Sequence, residues 1–222
     1  MYYLYLLCLW SFIYFNGLKY TKYPSYINSS IHTSMLLLML TLSNDNIKYV
    51  IPWSKSYFLF DSLVSSYYVT KPLIVNGYNS IIKNPSRIKY EWSHIGYLIH
   101  HVMAIHILQT SDSFKHTELY SGFRDLYYYL ECSNVFLYIT YFVFQAYGKN
   151  NYLSLSALVM EIVGYGYIRT FLLMNYIRQY WYLMNITTKS FSIILYLLGV
   201  IWTNKLFLQL KHMLGNVQDL FF

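Results

Sequence analysis

The sequence predicts an all-α fold, a polytopic membrane helical bundle of about seven transmembrane helices, and three observations predict it. Only 11% of the 222 residues are charged, against roughly 25% in soluble domains. Hydrophobic residues make up 56% of the chain. Apolar stretches near the roughly 20 residues that a helix needs to cross a bilayer recur from end to end. The same composition excludes a disordered chain, which needs low hydrophobicity and high net charge. Four Pro and nine Gly exclude collagen-like or linker-rich designs. The 28 Tyr are read as compositional bias and carry no functional weight.

Taken in order, the candidate spans are 2–18, 27–43, 52–70, 93–110, 120–147, 152–177 and 190–210. The first is uncharged, begins with no basic n-region and lacks a small-residue cleavage site before Lys19. It is therefore expected to be a retained anchor helix, not a signal peptide. The second has an apolar core, Ile31–Leu42, with polar flanks and one histidine. The third is aromatic and contains Asp61. Segment 71–92, with Lys71, Lys83, Arg87, Lys89 and two Pro, is expected to form the longest loop. The remaining four spans carry Glu131, Glu161, Arg169 and the histidines of the fourth segment between long apolar runs.

Basic residues in alternate loops set the orientation. One side receives nine (Lys19, Lys22, Lys71, Lys83, Arg87, Lys89, Lys149, Lys205, Lys211) and the other five (Lys48, Lys55, Lys115, Arg178, Lys189). The richer side belongs in the cytosol, so the N-terminus is expected to be lumenal or outside and the C-terminus cytosolic. The net charge of +7 is dispersed in ones and twos. No nucleic-acid partner is expected from it. Cys8 and Cys132 both lie in apolar runs and give no disulfide framework. The sequons at Asn28 and Asn185 fall on opposite predicted sides, so at most one is used. The five Trp fall mainly near span ends, as interfacial belts require.

Charge inside a span is expensive. An Asp or Arg at a span centre costs about 2.5–3.5 kcal/mol, while each Leu, Ile, Phe or Val returns only about 0.3–0.6. Asp61, Glu131, Glu161 and Arg169, with His32, His100, His101 and His106, are thus expected to face a bundle interior or wet cavity. They serve either as a functional site or as polar glue between helices. His94 and His101 nearly superimpose on one helical face, whereas His100 and His106 diverge from it, so the four cannot line one cavity. Glu161, Tyr165 and Arg169 advance by four along one face, which predicts a Glu161–Arg169 pair. No H-E-x-x-H spacing occurs, so no metal site is expected. No G-x-S-x-G, P-loop or G-x-G-x-x-G is present either.

The order of motifs along residues 24–210 resembles the TLC domain family, the membrane family that includes ceramide synthases. The carriers are Ser29-x-x-His32, the aromatic run ending at Asp61, and the His100-His101 pair. Glu131-Cys132-Ser133-Asn134 and the aromatic-glycine stretch closing on Arg169 complete the set. The His-Asp pair of the synthases is missing from ELYSGFRDLYYYLECSN, and Glu131-x-Ser133 looks more like the non-synthase branches.

The resemblance implies an anchor helix (1–22), a TLC-like domain (23–212) of six helices in a barrel-like bundle with a polar cavity, and a short tail (213–222). It implies a multi-pass endomembrane protein, more at home in the endoplasmic reticulum than the plasma membrane. Its partners would be membrane lipids, and its function lipid binding, membrane lipid composition (sphingolipid homeostasis included) or lipid trafficking. The alternative is a lipid acyltransferase consuming acyl-CoA, with no other cofactor; a further alternative is a transporter or channel-like protein. His100, His101 and Asp61 are the expected catalytic residues. His32, Glu131, Ser133, Asn134 and Arg169 are expected to line the lipid cavity.

Overall fold

The computed structural model describes residues 2–19, 24–42, 47–76, 85–110 and 118–218. Among them it is all-helical, with no strand. The helices are α1 (Tyr2–Gly17), α2 (Pro24–Leu42), α3 (Ile47–Asn76), α4 (Pro85–Thr110), α5 (Glu118–Tyr147), α6 (Tyr152–Gly166), α7 (Leu173–Tyr180) and α8 (Ile186–Gln218). A π-helical segment, Tyr167–Leu172, joins α6 to α7, and a 3₁₀ turn, Trp181–Leu183, follows α7. The run Tyr152–Leu183 is thus one continuous rod, and among the described residues the helices number seven, two of them long and apolar enough to cross a membrane.

Local chemistry sets several boundaries. Pro24 and Pro85 open α2 and α4, where a missing N–H costs nothing. Gly148 ends α5 at φ +74°, a left-handed backbone that favours glycine. Asn151 then caps α6, its Oδ1 accepting from Ser154 N at 2.9 Å. Asn185 does the same for α8, accepting from Thr188 N at 2.8 Å.

The helices are longer than the predicted spans where polar residues made the sequence look like coil. α3 continues to Asn76 and α4 starts at Pro85, so the expected loop 71–92 shrinks; 77–84, with Lys83, lie outside the described residues. Lys and Arg have good helix propensity, and one Pro at a first helical position starts a helix instead of stopping one. The side chains of Lys71, Arg87, Lys89, His94 and Trp92 fall outside the described set, as do Lys22 and Lys115. At the C-terminal end the expected tail is helical through Gln218, with 219–222 outside the described residues.

The chain forms two compact units. Unit 1 comprises residues 1–32 and 42–113; unit 2 comprises 33–41 and 114–222. In unit 1, α1 buries a stripe of Leu6, Trp10 and Tyr14 at intervals of four. Trp10 is fully enclosed and packs edge-on against Trp53 and Tyr57 of α3. Trp10 and Trp53 are therefore core residues and not belt residues, contrary to the expectation from span ends. In unit 2, Leu126 of α5 meets Leu173 and Ile177 of α7, while Leu158 and Ile162 of α6 meet Met213 of α8.

Among the described residues two helical rods, Tyr152–Leu183 and Ile186–Gly215, are long and apolar enough to cross a membrane, with mean hydropathy 1.4 and 1.7. Tyr3–Gly17 is a shorter apolar helix.

Candidate functional site

Each unit holds its own polar cluster. In unit 1 the cluster sits where α2, α3 and α4 supply successive faces. Ser54, Tyr57, Phe58 and Asp61 lie at helical spacing on one side of α3. His32 of α2 shares a hydrogen bond with Ser54, Nε2 to Oγ at 3.1 Å, and stacks on the Tyr57 ring at 4.2 Å. Ser29, one turn earlier, donates to Ser25 O. Its single proton is thus engaged, and Tyr57 OH is the donor in the 2.6 Å contact with Ser29 Oγ. Phe58 separates the two buried histidines, its ring 5.5 Å from His32 and 5.3 Å from His101.

His101 of α4 faces Asp61 of α3, with Nδ1 3.3 Å from Oδ2. The contact is electrostatic, because the ring N–H is not aligned for a hydrogen bond at that separation. A carboxylate beside Nδ1 favours the tautomer protonated there and leaves Nε2 as the basic nitrogen. His100 is half-buried, its ring 5.5 Å from that of His101 with the two planes inclined at 56°. The expected catalytic set therefore divides: His101 and Asp61 meet, and His100 stands beside them. His32, expected as a cavity residue, belongs with this group.

The aromatic wall behind it was missed from sequence. Trp10 Nε1 donates to Ser56 Oγ at 3.1 Å, and Asn28 Nδ2 donates to the Trp10 carbonyl at 3.1 Å. Asn28 is 1% exposed, which closes the first sequon to any glycan. The signal that could have found Ser54 and Tyr57 was their spacing from Asp61, seven and four residues back on the same helix.

In unit 2 the cluster is a charge relay through neutral groups. Thr33 Oγ1 donates to Glu131 Oε2 at 2.7 Å, and Asn134 Nδ2 donates to the same oxygen at 3.0 Å. The other end of that amide, Oδ1, accepts from Arg169 Nη2 at 2.9 Å. Arg169 also donates from Nε to Ser133 Oγ at 3.0 Å and from Nη2 to Leu130 O at 3.2 Å. Its guanidinium lies 5.3 Å from the centre of the Tyr165 ring. One acid and one base are thus buried together, bridged by an amide whose donor end faces the acid and acceptor end faces the base.

The expected Glu161–Arg169 pair does not form. Eight residues along a helix rise about 12 Å, too far for direct contact, so Arg169 turns across to α5. Glu131, Ser133, Asn134 and Arg169, expected to line a lipid cavity, are brought together in this hydrogen-bonded network. Thr33 was missed. Arg169 sits in the π-helical segment, a conformation that recurs at functional positions. Gly199 of α8 permits this packing, since a Cβ there would stand 2.8 Å from the Arg169 carbonyl oxygen.

Among the described residues no three His, Cys, Asp or Glu side chains are grouped to hold a metal ion. No family model matches this chain, and no curated protein or solved structure matches it.

Proposed function

We propose that this chain is a multi-pass integral membrane protein of the TLC type that binds lipid and acts in membrane lipid composition or trafficking. One observation carries the reading: beside an apolar core, ionisable side chains are buried while many large apolar ones are exposed. Glu131, Glu161, Arg169, His32 and His101 are buried, while Leu42 is 72%, Val163 65% and Ile186 77% exposed. In lipid this is the low-energy arrangement. Exposing Asp61, Glu131, Glu161 and Arg169 to hydrocarbon would cost roughly 10–14 kcal/mol at about 2.5–3.5 each. In water the exposed Leu, Ile and Phe side chains would instead form apolar patches that monomeric soluble proteins avoid. Seven spans in a barrel-like bundle, an endomembrane location and a lumenal N-terminus complete the proposal.

The test is direct. Full-length protein in membranes should resist extraction at alkaline pH, and protein purified in mild detergent should carry lipid detectable by mass spectrometry. Recovery in the soluble fraction would overturn the membrane reading. An empty protein that passes ions in liposomes would replace lipid binding with a pathway function.

A second reading, lipid acyl transfer, is favoured by the His101–Asp61 approach alone. Asp61 would orient His101, and Nε2 would take the proton of an amine or hydroxyl as that group attacks an acyl thioester. The acyl–sulfur bond breaks, the new amide or ester bond forms, and the proton passes to the departing thiolate. Replacing His100 and His101 by Ala should abolish such acylation and leave the protein inserted. Undiminished acylation in that double variant would reject the catalytic roles.

A further inference from the structure

A groove of about 490 Å³ opens in unit 2 between α7 and α8, away from the Glu131–Arg169 cluster. Its lining includes Ile177, Ile193, Tyr196 and Leu197, together with Trp181 and Arg178. That volume lies within the roughly 300–1,000 Å³ of ligand-holding sites. Lys189, in the first turn of α8, stacks over the Trp181 ring with Nζ at 5.0 Å. Two cations thus flank an open apolar groove, whose Ile193 and Leu197 are 41% and 51% exposed. No acidic residue occurs from Ile162 to Gln218, so neither α7 nor α8 neutralises them. On α5, which packs against the same core through Leu126, Asp125 is already held by Arg124 at 2.7 Å.

The groove adjoins the end of the Tyr152–Leu183 rod, where Met184 and Asn185 connect it to the second rod long enough to cross a membrane. Under the membrane reading proposed above, on which this inference rests, that connection lies at the lumenal membrane face. Trp and Tyr sit at such a face by preference, and Tyr182, just before the connection, is 91% exposed. We propose that the groove binds an anionic phospholipid, its phosphate against Arg178 and Lys189 and one acyl chain between α7 and α8. The apolar walls give little selectivity, since a tail leaving bulk lipid for the groove changes one hydrocarbon environment for another. Discrimination rests on the head group. Each basic residue near a membrane surface favours an anionic lipid about fivefold, so the pair gives about thirtyfold over a zwitterionic lipid.

The experiment uses the full chain in mild detergent, mixed with equal phosphatidylglycerol and phosphatidylcholine of the same chains, and counts bound lipids by native mass spectrometry. Wild type should retain phosphatidylglycerol about thirtyfold over phosphatidylcholine. The double variant Arg178→Gln/Lys189→Gln should bring the ratio near one, and Leu197→Trp, which fills the groove, should lower total retention. Lys205→Gln/Lys211→Gln should behave as wild type. Equal retention of both lipids by wild type, or an unchanged ratio in the Arg178/Lys189 variant, overturns the proposal. Alkaline extraction of the membranes from which the protein is purified separates this failure from failure of the membrane reading, because only the latter releases wild type.

Discussion

Replacing Arg169 by Leu should test which acid the guanidinium serves. The substitution removes hydrogen bonds to Ser133, Asn134 and Leu130, all on α5. Bonds between membrane helices average about 0.6 kcal/mol, so the three sum to about 2 kcal/mol. Glu131 then keeps its hydrogen bonds from Thr33 and Asn134 but loses the buried cation near it, and stranding a buried charge pushes the cost toward about 3–5 kcal/mol. The expected loss is about 2–4 kcal/mol.

Glu131→Gln keeps the shape and removes the charge, so Arg169→Leu should cost about 1.5 kcal/mol less in that background, a coupling typical of residues in one network. Glu161→Gln should be additive with Arg169→Leu to within about 0.5 kcal/mol. The assay is unfolding of the full chain in detergent micelles titrated with dodecyl sulfate, followed by far-UV circular dichroism. Coupling of Arg169 to Glu161 that equals or exceeds its coupling to Glu131 would refute the relay.

Three more outcomes follow from particular contacts. Gly199→Val should destabilise by about 1–3 kcal/mol through overpacking, because its side chain would meet the Arg169 carbonyl. Gly215→Ala, with nothing within 4 Å, should not; thermal unfolding in detergent compares them. Trp10→Ala should cost about 3–5 kcal/mol for the lost core ring and render α1 cleavable by protease before the other helices. Asn28 should carry no glycan in peptide mass spectra from a eukaryotic host, since its amide donates to the Trp10 carbonyl inside the fold.

The helices were largely legible in the sequence, and for a physical reason. Long runs with at most one charge, such as 190–210, can satisfy their backbone only as helix when water is scarce, so the pattern specifies the element without tertiary help. The same cost argument marked Asp61, Glu131, Arg169 and His101 as inward-facing from one sequence alone. Where polar residues continued a helix, as at 71–76 and 85–92, composition suggested coil because propensity is a weak signal beside hydropathy.

Pairing is what only the tertiary structure decided. Sequence spacing offered Glu161 to Arg169, being one helical face. The fold offered Glu131, because α5 lies against the π-helical segment and Asn134 can span acid and base. Likewise nothing local distinguishes His101 from His100. They differ by one residue and about 100° of rotation, and the packing of α3 on α4 turns His101 toward Asp61. Periodicity fixes which side of a helix is polar; the choice of partner depends on which helix arrives opposite, and that is a property of the assembled bundle.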